Sequence, residues 1–561
     1  MLKKFLRLLA ENKLASLLIF LGSLSWSIPL VKSGIGYDFG VGFWGPNGHD
    51  GIWHIALANS LARGSWEMPV FAGSFLQNYH IGFDLLLALA AKISGVSTSI
   101  IYFQIVPPVL AILVGLLTYR LVATWKKSKK EALWSVFFVY FGGSFGWLVT
   151  LLTSGQLGGE SVFWSQQAVS TLINPPYALS LVLLLLGLIF LIKSPITNHQ
   201  SLITIFIFGV LFEVKAYAGL LALFGLFVVG VYEFVKNRDI KVLKIFSGSF
   251  AITLSLYLFL NRGSQDLLVF QPFWFLENLM SPDRLNWSKL GEALVNWRLG
   301  GLYYKSAFGY VLAFILFVFG NLGTRLVSIF SLSKRIDLLS VFIWAVILAG
   351  ITVPMVFLQK GTSWNTIQFF YYSLFLLAIL SGVGLVKLGK LLKVSLVYAV
   401  VLLVTLPTTF STLYYHYLPG RPPAKISTEE LRALDFLKDQ PEGVVLTYPF
   451  DREAADAAVD NPPRPLYLYE STAYVSAYTD KPVFLEDEVN LDITGYGWST
   501  RREEIVRFFS TSDQNAAHRF LEDNNIKYIY LLKGQQVSLN FQELGAKKIF
   551  ENNISLIYSV S

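Results

Sequence analysis

The sequence of 561 residues contains no cysteine, and few of its residues carry a charge. The absence of cysteine excludes disulfide bonds, thiolate metal sites and a cysteine nucleophile. Only 15% of the residues are Asp, Glu, Lys or Arg, whereas soluble globular proteins have about 25%. Hydrophobic residues make up 54% of the chain. The composition therefore indicates an integral membrane protein.

Long apolar runs occur at eleven places and approach the ~20 residues that a helix needs to cross a bilayer. A further apolar segment, 82–95, is short and contains Asp84 and Lys92, so we predict an amphipathic helix at the membrane interface. The fold class predicted is a polytopic α-helical membrane protein of about eleven transmembrane helices, with a small α/β domain after them. The predicted spans are 14–31, 98–123, 131–152, 176–193, 201–213, 216–235, 242–260, 307–324, 337–358, 366–386 and 394–415.

The basic residues predict the orientation of these spans. The N-terminal segment and the short loops on one side of the predicted spans, among them the "KKSKK" at 126–130, hold 19 Lys and Arg. The longer loops on the other side, counted up to residue 415, hold about 10. The positive-inside rule then predicts a cytoplasmic N-terminus and an exoplasmic C-terminus. The basic start "MLKKFLRLLAENK" precedes an apolar run without an A-x-A-like cleavage site, which indicates an uncleaved first span. We expect a multi-pass protein of the plasma (inner) membrane.

A boundary is predicted at "HYLPGRPPAK" (416–425), where prolines and a glycine end the last span. Residues 1–415 are predicted to form the transmembrane domain, with an exoplasmic loop one at 32–97, and residues 416–561 an exoplasmic α/β domain. Of the 37 acidic residues, 22 follow residue 415, where they face 15 Lys and Arg. The chain's net positive charge therefore belongs to its membrane part, and no aromatic–basic platform points to nucleic acid.

The C-terminal segment alternates short strands with amphipathic helices, which is typical of a layered α/β domain. "STEELRALDFLKD" predicts a helix that begins with a Ser/Thr cap at 427–428. "GVVLTYPF" and "KYIYLLK" are predicted as buried strands, and "KKIFENNISLIYSV" as a hairpin that turns at Asn552–Asn553. The acidic stretch Glu486, Asp487, Glu488 and Asp492 has two interpretations: a cation site or a solvated acidic loop, of which the pattern favours the loop.

Loop one contains three of the chain's six histidines, beside aspartates. "NGHDGIWHIALANSLARG" predicts a helix that opens near Asp50, and Asp50 and His54 share a face because they are four residues apart. His80 and Asp84 have the same spacing. Asp50 could be a plain N-cap, or it could be functional, since a helix N-terminus attracts phosphate. His54 could be an interfacial packing residue, and the His80–Asp84 pair an anchor for the short helix.

These features resemble the GT-C superfamily of integral-membrane glycosyltransferases, which use polyprenyl-phosphate-linked sugars. "HDGIWHIALANSL" stands where that superfamily often has Asp-Glu, an aromatic and small apolar residues. "NYHIGFDLLLALAAKISGVSTSIIYFQIVPPVLAIL" is similar to its interfacial helix and second span, and "LFEVKAYAGLLAL" to its later short hairpin with a lysine. Gly51 occupies the place of the second acidic residue, and His80 lies near a position where relatives often have proline or lysine.

The resemblance implies an inverting glycosyltransferase that moves a hexosyl or pentosyl group from a polyprenyl-phosphate donor to a glycan, lipid or protein acceptor on the exoplasmic side. It implies no tightly bound cofactor, with a divalent cation possible and its ligands unknown. The role of catalytic base falls to Asp50. The candidate substrate-binding residues are His49, His54, Tyr79, His80, Asp84, Lys215, Arg298, Lys305, Lys360 and Gln368.

Several of these candidates have structural alternatives. Lys215 lies at a hairpin tip, where a lysine often only snorkels, although an intramembrane ionisable residue is a functional candidate and Glu213 is a ready partner. The aromatic residues around Arg298 and Lys305 are typical of a membrane-interface belt. The alternative function is a transporter or flippase of lipid-linked sugars, which should place its functional groups near the bilayer midplane and show internal symmetry.

Overall fold

The computed structural model describes residues 12–192, 198–261, 268–333 and 336–560. The basic residues Lys3, Lys4, Arg7, Lys193, Lys334 and Arg335, which contribute to the predicted orientation, lie outside this range. The chain divides into two compact units. The helical unit comprises residues 1–29, 107–258 and 265–418, and the mixed unit comprises residues 30–106, 259–264 and 419–561. Loop one and the C-terminal segment therefore belong to the same unit.

The predicted membrane helices are present, and the chain is a multi-pass membrane protein. Among the described residues, eight helices are long and apolar enough to cross a membrane, and a ninth span is possible if the pair 129–141 and 146–154, bent by 44°, crosses as one. Two shorter apolar helices complete the set, and every predicted span coincides with one of these elements. In chain order the helices are Lys13–Val31, Val106–Lys126, Lys129–Phe141, Gly146–Ser154, Pro175–Leu191, Asn198–Val214, Ala216–Asn237, Lys241–Leu260, Tyr303–Leu322, Leu338–Val356, Ile367–Leu392 and Leu396–Thr412.

The helix Ile367–Leu392 forms the core of the helical unit, and 94% of its most apolar stretch is buried. The helix Lys129–Phe141 packs closely against it at Gly382, where an added Cβ would lie 2.1 Å from the backbone nitrogen of Ser135. Ser135 donates a hydrogen bond of 2.7 Å to the carbonyl of Ile379. A small residue at this crossing lets two apolar helices approach with their backbones nearly in contact.

The mixed unit contains a sheet whose strands come from the C-terminal segment. Val444–Thr447 pairs in parallel with Ile526–Leu532, which pairs antiparallel with Ser555–Ser559, and that strand forms the predicted hairpin with Lys547–Glu551. The helix Thr428–Lys438 begins at its predicted cap, because the Ser427 side chain accepts a hydrogen bond of 3.2 Å from the Glu430 N–H. The remaining helices of eight or more residues in this segment are Trp498–Ser510 and Gln514–Asp523. The predicted α/β fold class is confirmed.

A second sheet of the mixed unit joins loop one to the C-terminal segment. Gly40–Phe43 lies between Gly36–Tyr37 and Ala424–Ile426, and Arg464–Pro465 adds the fourth strand. Gly40 has a φ of +108°, and an added Cβ would lie 2.0 Å from the Ile426 carbonyl oxygen, so only glycine fits. This pairing places the start of loop one against residues almost 400 positions later in the chain.

Loop one itself contributes two helices to the mixed unit. The first runs from Asp50 to Ala62 and ends before Gly64, which has a φ of +84°. The second, Gly82–Ser94, packs against the first and ends at Gly95 in the left-handed conformation. With only 13 residues it agrees with the prediction of a short amphipathic helix rather than a further span.

Candidate active site

Asp50 is the first residue of the helix that loop one places in the mixed unit. The 3-10 turn Gly45–Gly48 leads into this helix, and the residue at the N-cap position is His49. The interpretation of Asp50 as the N-cap is therefore wrong. Its side chain remains 39% exposed, although the residues around it are mostly buried. An exposed carboxylate at this position is open to a substrate.

His49 connects Asp50 to the C-terminal segment. Its Nδ1 lies 3.1 Å from Asp50 Oδ1, and its Nε2 lies 3.2 Å from Asp487 Oδ1. Burial alone would lower the pKa of His49, but the charge of Asp487 and the hydrogen bonds to both carboxylates outweigh burial and raise the pKa well above 6.5. A protonated imidazole can donate from both nitrogens, as this geometry requires.

Asp487 is fully buried and is held by its own helix. It caps the helix Glu488–Thr494, and its Oδ1 accepts a hydrogen bond of 3.1 Å from the Asn490 N–H. The Asn490 side chain donates a second bond of 2.9 Å to Asp487 Oδ2. The interpretation of this acidic stretch as a solvated loop is therefore wrong. These donors hold the buried carboxylate in one orientation, in which it anchors His49.

The two neighbours of Asp487 are also withdrawn from solvent. Glu486 accepts hydrogen bonds of 3.0 Å from the backbone N–H groups of Val475 and Ser476, and Glu488 forms an ion pair with Arg502. Burial raises the pKa of Glu486 to about 8, more than the two N–H donors lower it. Burial likewise raises the pKa of Glu488, although Arg502 opposes this effect.

Glu470 is a further carboxylate near His49 that the sequence analysis did not single out. Burial raises its pKa, the charge of His49 lowers it, and the charges of Asp50 and Asp487 raise it again. These influences place Glu470 within electrostatic reach of the Asp50–His49–Asp487 chain. No local sequence pattern marks Glu470, since it follows a short turn in an otherwise tyrosine-rich stretch.

His54 pairs with Asp84 and not with Asp50. Its Nδ1 lies 2.7 Å from Asp84 Oδ1, and the two side chains are 3% and 0% exposed. The His54 ring also stacks on Tyr102 at 5.8 Å between centroids. The shared helix face predicted for Asp50 and His54 therefore does not bring them together. The buried pair instead connects the helices Asp50–Ala62 and Gly82–Ser94.

Tyr79 and His80 lie before the second helix, which begins only at Gly82. His80 is therefore not on the helix, so the helical spacing from which its pairing with Asp84 was predicted does not apply, and that pairing stays a prediction. The Tyr79 ring lies 4.5 Å from the His80 ring and 5.5 Å from the Trp53 ring, measured between centroids. Burial and the nearby charge of Asp84 raise the pKa of Tyr79 well above 10.0, so its hydroxyl stays protonated.

Gly51 has a packing reason for lacking a side chain. An added Cβ would lie 2.7 Å from Cζ of Phe103, whose ring is fully buried. Gly51 occupies the position where the resemblance leads one to expect a second acidic residue. Because a longer side chain has no room there, the site presents one carboxylate at the start of the helix.

In the helical unit, Lys215 interrupts the helices Asn198–Val214 and Ala216–Asn237. Its ammonium group is buried and donates a hydrogen bond of 3.3 Å to Asn174 Oδ1. The predicted partnership with Glu213 is wrong, since neither carboxylate oxygen of Glu213 accepts a hydrogen bond from any residue that the structure describes. Asn174 also caps the helix Pro175–Leu191, so Lys215 contacts a helix start rather than snorkelling.

The hairpin around Lys215 contacts the segment that precedes Lys360. Tyr217 donates a hydrogen bond of 2.7 Å to Gln359 Oε1. Lys360 itself is exposed, while Gln368 is half-buried and donates to Asn365 Oδ1 at 3.3 Å.

The other two candidates of the helical unit lie on its surface. Arg298 forms an ion pair of 3.1 Å with Glu277 and donates to the Tyr310 hydroxyl, while Lys305 is exposed. The partners of Arg298 give it a structural role that the sequence did not predict. Each of the four residues Arg298, Lys305, Lys360 and Gln368 remains a predicted contact of substrate.

No group of three or more His, Asp or Glu side chains is positioned to hold a metal ion within the ranges that the structure describes. In the mixed unit Asp487 accepts hydrogen bonds from Asn490 and lies within hydrogen-bonding distance of His49, and Glu486 accepts from backbone N–H groups. A divalent cation stays a prediction.

No protein-family model and no curated protein matches the sequence. Solved structures do match the fold. The oligosaccharyltransferase of Archaeoglobus fulgidus, crystallised with a tethered acceptor peptide containing the NVT sequon, superposes with a TM-score of 0.51 at 12% identity, over 93% of this chain and 69% of that one. ArnT from Cupriavidus metallidurans bound to undecaprenyl phosphate aligns over 97% of each chain at 10% identity, with a TM-score of only 0.35.

The likeness to the oligosaccharyltransferase extends over nearly the whole chain, through the membrane helices and the C-terminal segment. At 12% identity it concerns the fold alone. It agrees with the order of elements predicted here: a first span, loop one with two helices, many spans and a terminal α/β segment. The resemblance stated from the sequence is confirmed at this level: the chain shares the fold of this membrane oligosaccharyltransferase.

Proposed function

We propose that this protein is a membrane glycosyltransferase in which Asp50 is the catalytic base. The observation that carries the proposal is the chain of contacts from exposed Asp50 through buried His49 to buried Asp487. A general base needs an accessible carboxylate and a neighbour that holds its orientation. Asp50 has both, and the fold is that of a glycosyltransferase superfamily.

The reaction proposed is transfer of a sugar from a polyprenyl-phosphate donor to an acceptor hydroxyl on the exoplasmic side. Asp50 takes the proton of the acceptor hydroxyl while the oxygen of that hydroxyl attacks the anomeric carbon of the donor sugar. The bond from that carbon to the phosphate oxygen breaks, and the lipid phosphate leaves with the electron pair. Attack opposite the leaving group inverts the anomeric centre. His49 acts as a positioning residue, since it touches Asp50 and not the reacting atoms.

The donor phosphate needs cationic or hydrogen-bonding groups as negative charge develops on it. His80 in loop one and Lys215, Arg298, Lys305, Lys360 and Gln368 in the helical unit are the candidates. A divalent cation is a further candidate for this role. Among these residues Lys215 has the strongest support, because a buried ammonium group with an amide partner is costly to keep unless it has a function.

The acceptor is less constrained than the donor. The archaeal oligosaccharyltransferase that shares the fold was crystallised with a tethered acceptor peptide, which supports a peptide among the possible acceptors. A glycan, a lipid or a protein would each present the hydroxyl or amide that such a transfer needs. The orientation proposed has the N-terminus in the cytoplasm and the mixed unit outside.

The experiment that tests the proposal uses the purified full chain in detergent or nanodiscs. The chain is incubated with a panel of polyprenyl-phosphate sugars and a mixture of glycan, lipid and peptide acceptors, and released polyprenyl phosphate is measured. Release that depends on an acceptor supports the proposal. Movement of the lipid-linked sugar across a vesicle membrane without release would contradict it and favour the transporter or flippase.

A further inference from the structure

The mixed unit contains a cavity of about 530 Å³ that the proposed mechanism does not use. Its volume lies within the range of about 300–1,000 Å³ that is typical of small-molecule sites. The lining comes from the C-terminal segment and includes Asp487, the residue that anchors His49. One wall of the cavity is therefore two hydrogen bonds away from Asp50.

Carboxylates dominate the charge of this cavity. Five of them line it: Asp451, Glu470, Glu486, Asp487 and Glu488. Four have donors inside the protein, because Asp451 caps the helix that starts at Arg452, and the other three are bonded to backbone, His49, Asn490 or Arg502. Within the described residues no group donates a hydrogen bond to Glu470, whose carboxylate is left for a ligand.

A second observation is independent of these charges. The Thr472 side chain lines the cavity and is only 4% exposed, yet its hydroxyl has no hydrogen-bond partner. A buried hydroxyl without a hydrogen-bond partner destabilises the folded state unless a ligand supplies the missing partner. Tyr467 and Tyr474 add aromatic surface to the same wall.

We infer that this cavity binds a saccharide unit of the acceptor, an inference that rests on the proposed glycosyl transfer for the identification of the ligand as acceptor. Sugar hydroxyls donate to carboxylates such as Glu470 and bond with hydroxyls such as Thr472 Oγ1. Tyrosine rings suit the apolar faces of a sugar. The one lysine of the lining, Lys533, already pairs with Glu551 at 3.1 Å. The carboxylates of the wall therefore repel an anionic ligand, and this lysine is not available to neutralise it.

The test measures binding of methyl glucoside, methyl mannoside and methyl galactoside to the full chain in nanodiscs by saturation-transfer NMR, without donor lipid. Glucuronate serves as an anionic probe and putrescine as a cationic probe without a sugar ring. We expect at least one neutral glycoside to bind and glucuronate to bind much more weakly. Binding of putrescine with no binding of any glycoside would overturn the inference.

Two variants locate the binding site. Thr472→Val and Glu470→Gln should each weaken glycoside binding about 5–10-fold, as the loss of one ligand hydrogen bond predicts. The matched controls are Thr500→Val and Glu503→Gln, since both residues are exposed on the helix Trp498–Ser510. Thr472→Ser keeps the hydroxyl and should restore binding, which separates loss of the ligand contact from misfolding. Equal binding by Thr472→Val and wild type would overturn the inference.

This test can fail separately from the proposed function. If Asp50→Asn binds glycosides normally but transfers no sugar, both proposals are supported. If the chain releases lipid phosphate while the cavity variants bind and transfer as wild type does, the cavity inference is wrong and the transferase proposal stands. If glycosides bind in the cavity but no donor releases lipid phosphate, the cavity binds saccharide and the transferase proposal is wrong.

Discussion

His49 Nε2 and Asp487 Oδ1 lie 3.2 Å apart, although 438 residues of sequence separate them. The contact connects the first helix of loop one to a buried helix cap in the C-terminal segment. Both belong to the mixed unit, which therefore contains loop one as well as the C-terminal residues. The candidate catalytic residue, Asp50, lies 3.1 Å from the same imidazole.

Replacement of Asp50 by asparagine should abolish most of the transfer without disturbing the fold. General-base catalysis contributes about 10²–10⁴-fold, and we expect released lipid phosphate to fall by that factor. Asn keeps the size of the side chain, so the melting temperature and the binding of donor lipid should change little. Asp38→Asn is the control, since Asp38 is an exposed aspartate of the same loop. Near-normal transfer by a folded Asp50→Asn protein would remove Asp50 from the mechanism.

The charge of His49 should make part of the stability depend on pH. Asp487 and Asp50 raise the pKa of His49 above 6.5 in the folded protein, so the folded state holds this proton more tightly than the unfolded chain. The resulting stabilisation is complete below pH 6.5 and is lost as the pH rises through the raised folded value. The melting temperature of His49→Gln should therefore differ most from wild type below pH 6.5 and less above it.

The control for this measurement is His199→Gln, because His199 is exposed. Its melting temperature should follow that of wild type at every pH. A difference between wild type and His49→Gln that grows as the pH rises would show that His49 is neutral in the folded protein.

Removal of Asp84 should destabilise the protein more than removal of an exposed aspartate. Asp84 and His54 form a buried hydrogen-bonded pair at 2.7 Å, and a buried polar group that loses its partner costs about 1–3 kcal/mol. We expect a clear fall in melting temperature for Asp84→Leu. The double variant His54→Leu with Asp84→Leu should lose less, since no imidazole is then left without its carboxylate partner. A double variant that melts below the single one would contradict this explanation.

A side chain at Gly51 should not be tolerated. Its Cβ would lie 2.7 Å from the buried Phe103 ring, and overpacking of this kind costs about 1–3 kcal/mol. Gly51→Ala should lower the melting temperature, and Gly51→Glu should lower it further. Gly36→Ala is the control, since no atom lies within 4 Å of an added Cβ there. If Gly51→Glu were stable and active, packing would not explain why the site has a single carboxylate.

The proposed orientation can be tested directly because the chain has no cysteine. Ser65→Cys in loop one and Ser512→Cys in the C-terminal segment should both react with a membrane-impermeant thiol reagent added to intact cells. Lys129→Cys, in the basic connection predicted to be cytoplasmic, should react only after the cells are opened. Labelling of Ser65→Cys without labelling of Ser512→Cys would be inconsistent with the eleven-span topology.

The sequence by itself determined the membrane helices and the local elements. Long apolar runs have few ways to satisfy their backbone groups in a bilayer other than as helices, and each predicted run coincides with a helix or, at 131–152, with a bent pair of helices. The strands at 526–532 and 547–559 and the cap at Ser427 depend on neighbouring residues only, and these too were predicted. The start of the first loop-one helix at Asp50 was likewise predicted from neighbouring residues.

Only the tertiary structure decided which polar groups meet. His54 was expected near Asp50, four residues away, but it pairs with Asp84 because the second loop-one helix packs against the first. Asp487 was expected in solvent, but His49 and Asn490 supply the donors that let a carboxylate be buried. Helical spacing and charge density describe one segment at a time. The partner of a buried polar group lies 30 residues away for His54 and Asp84 and 438 residues away for His49 and Asp487, and only the folded chain brings such groups within hydrogen-bonding distance.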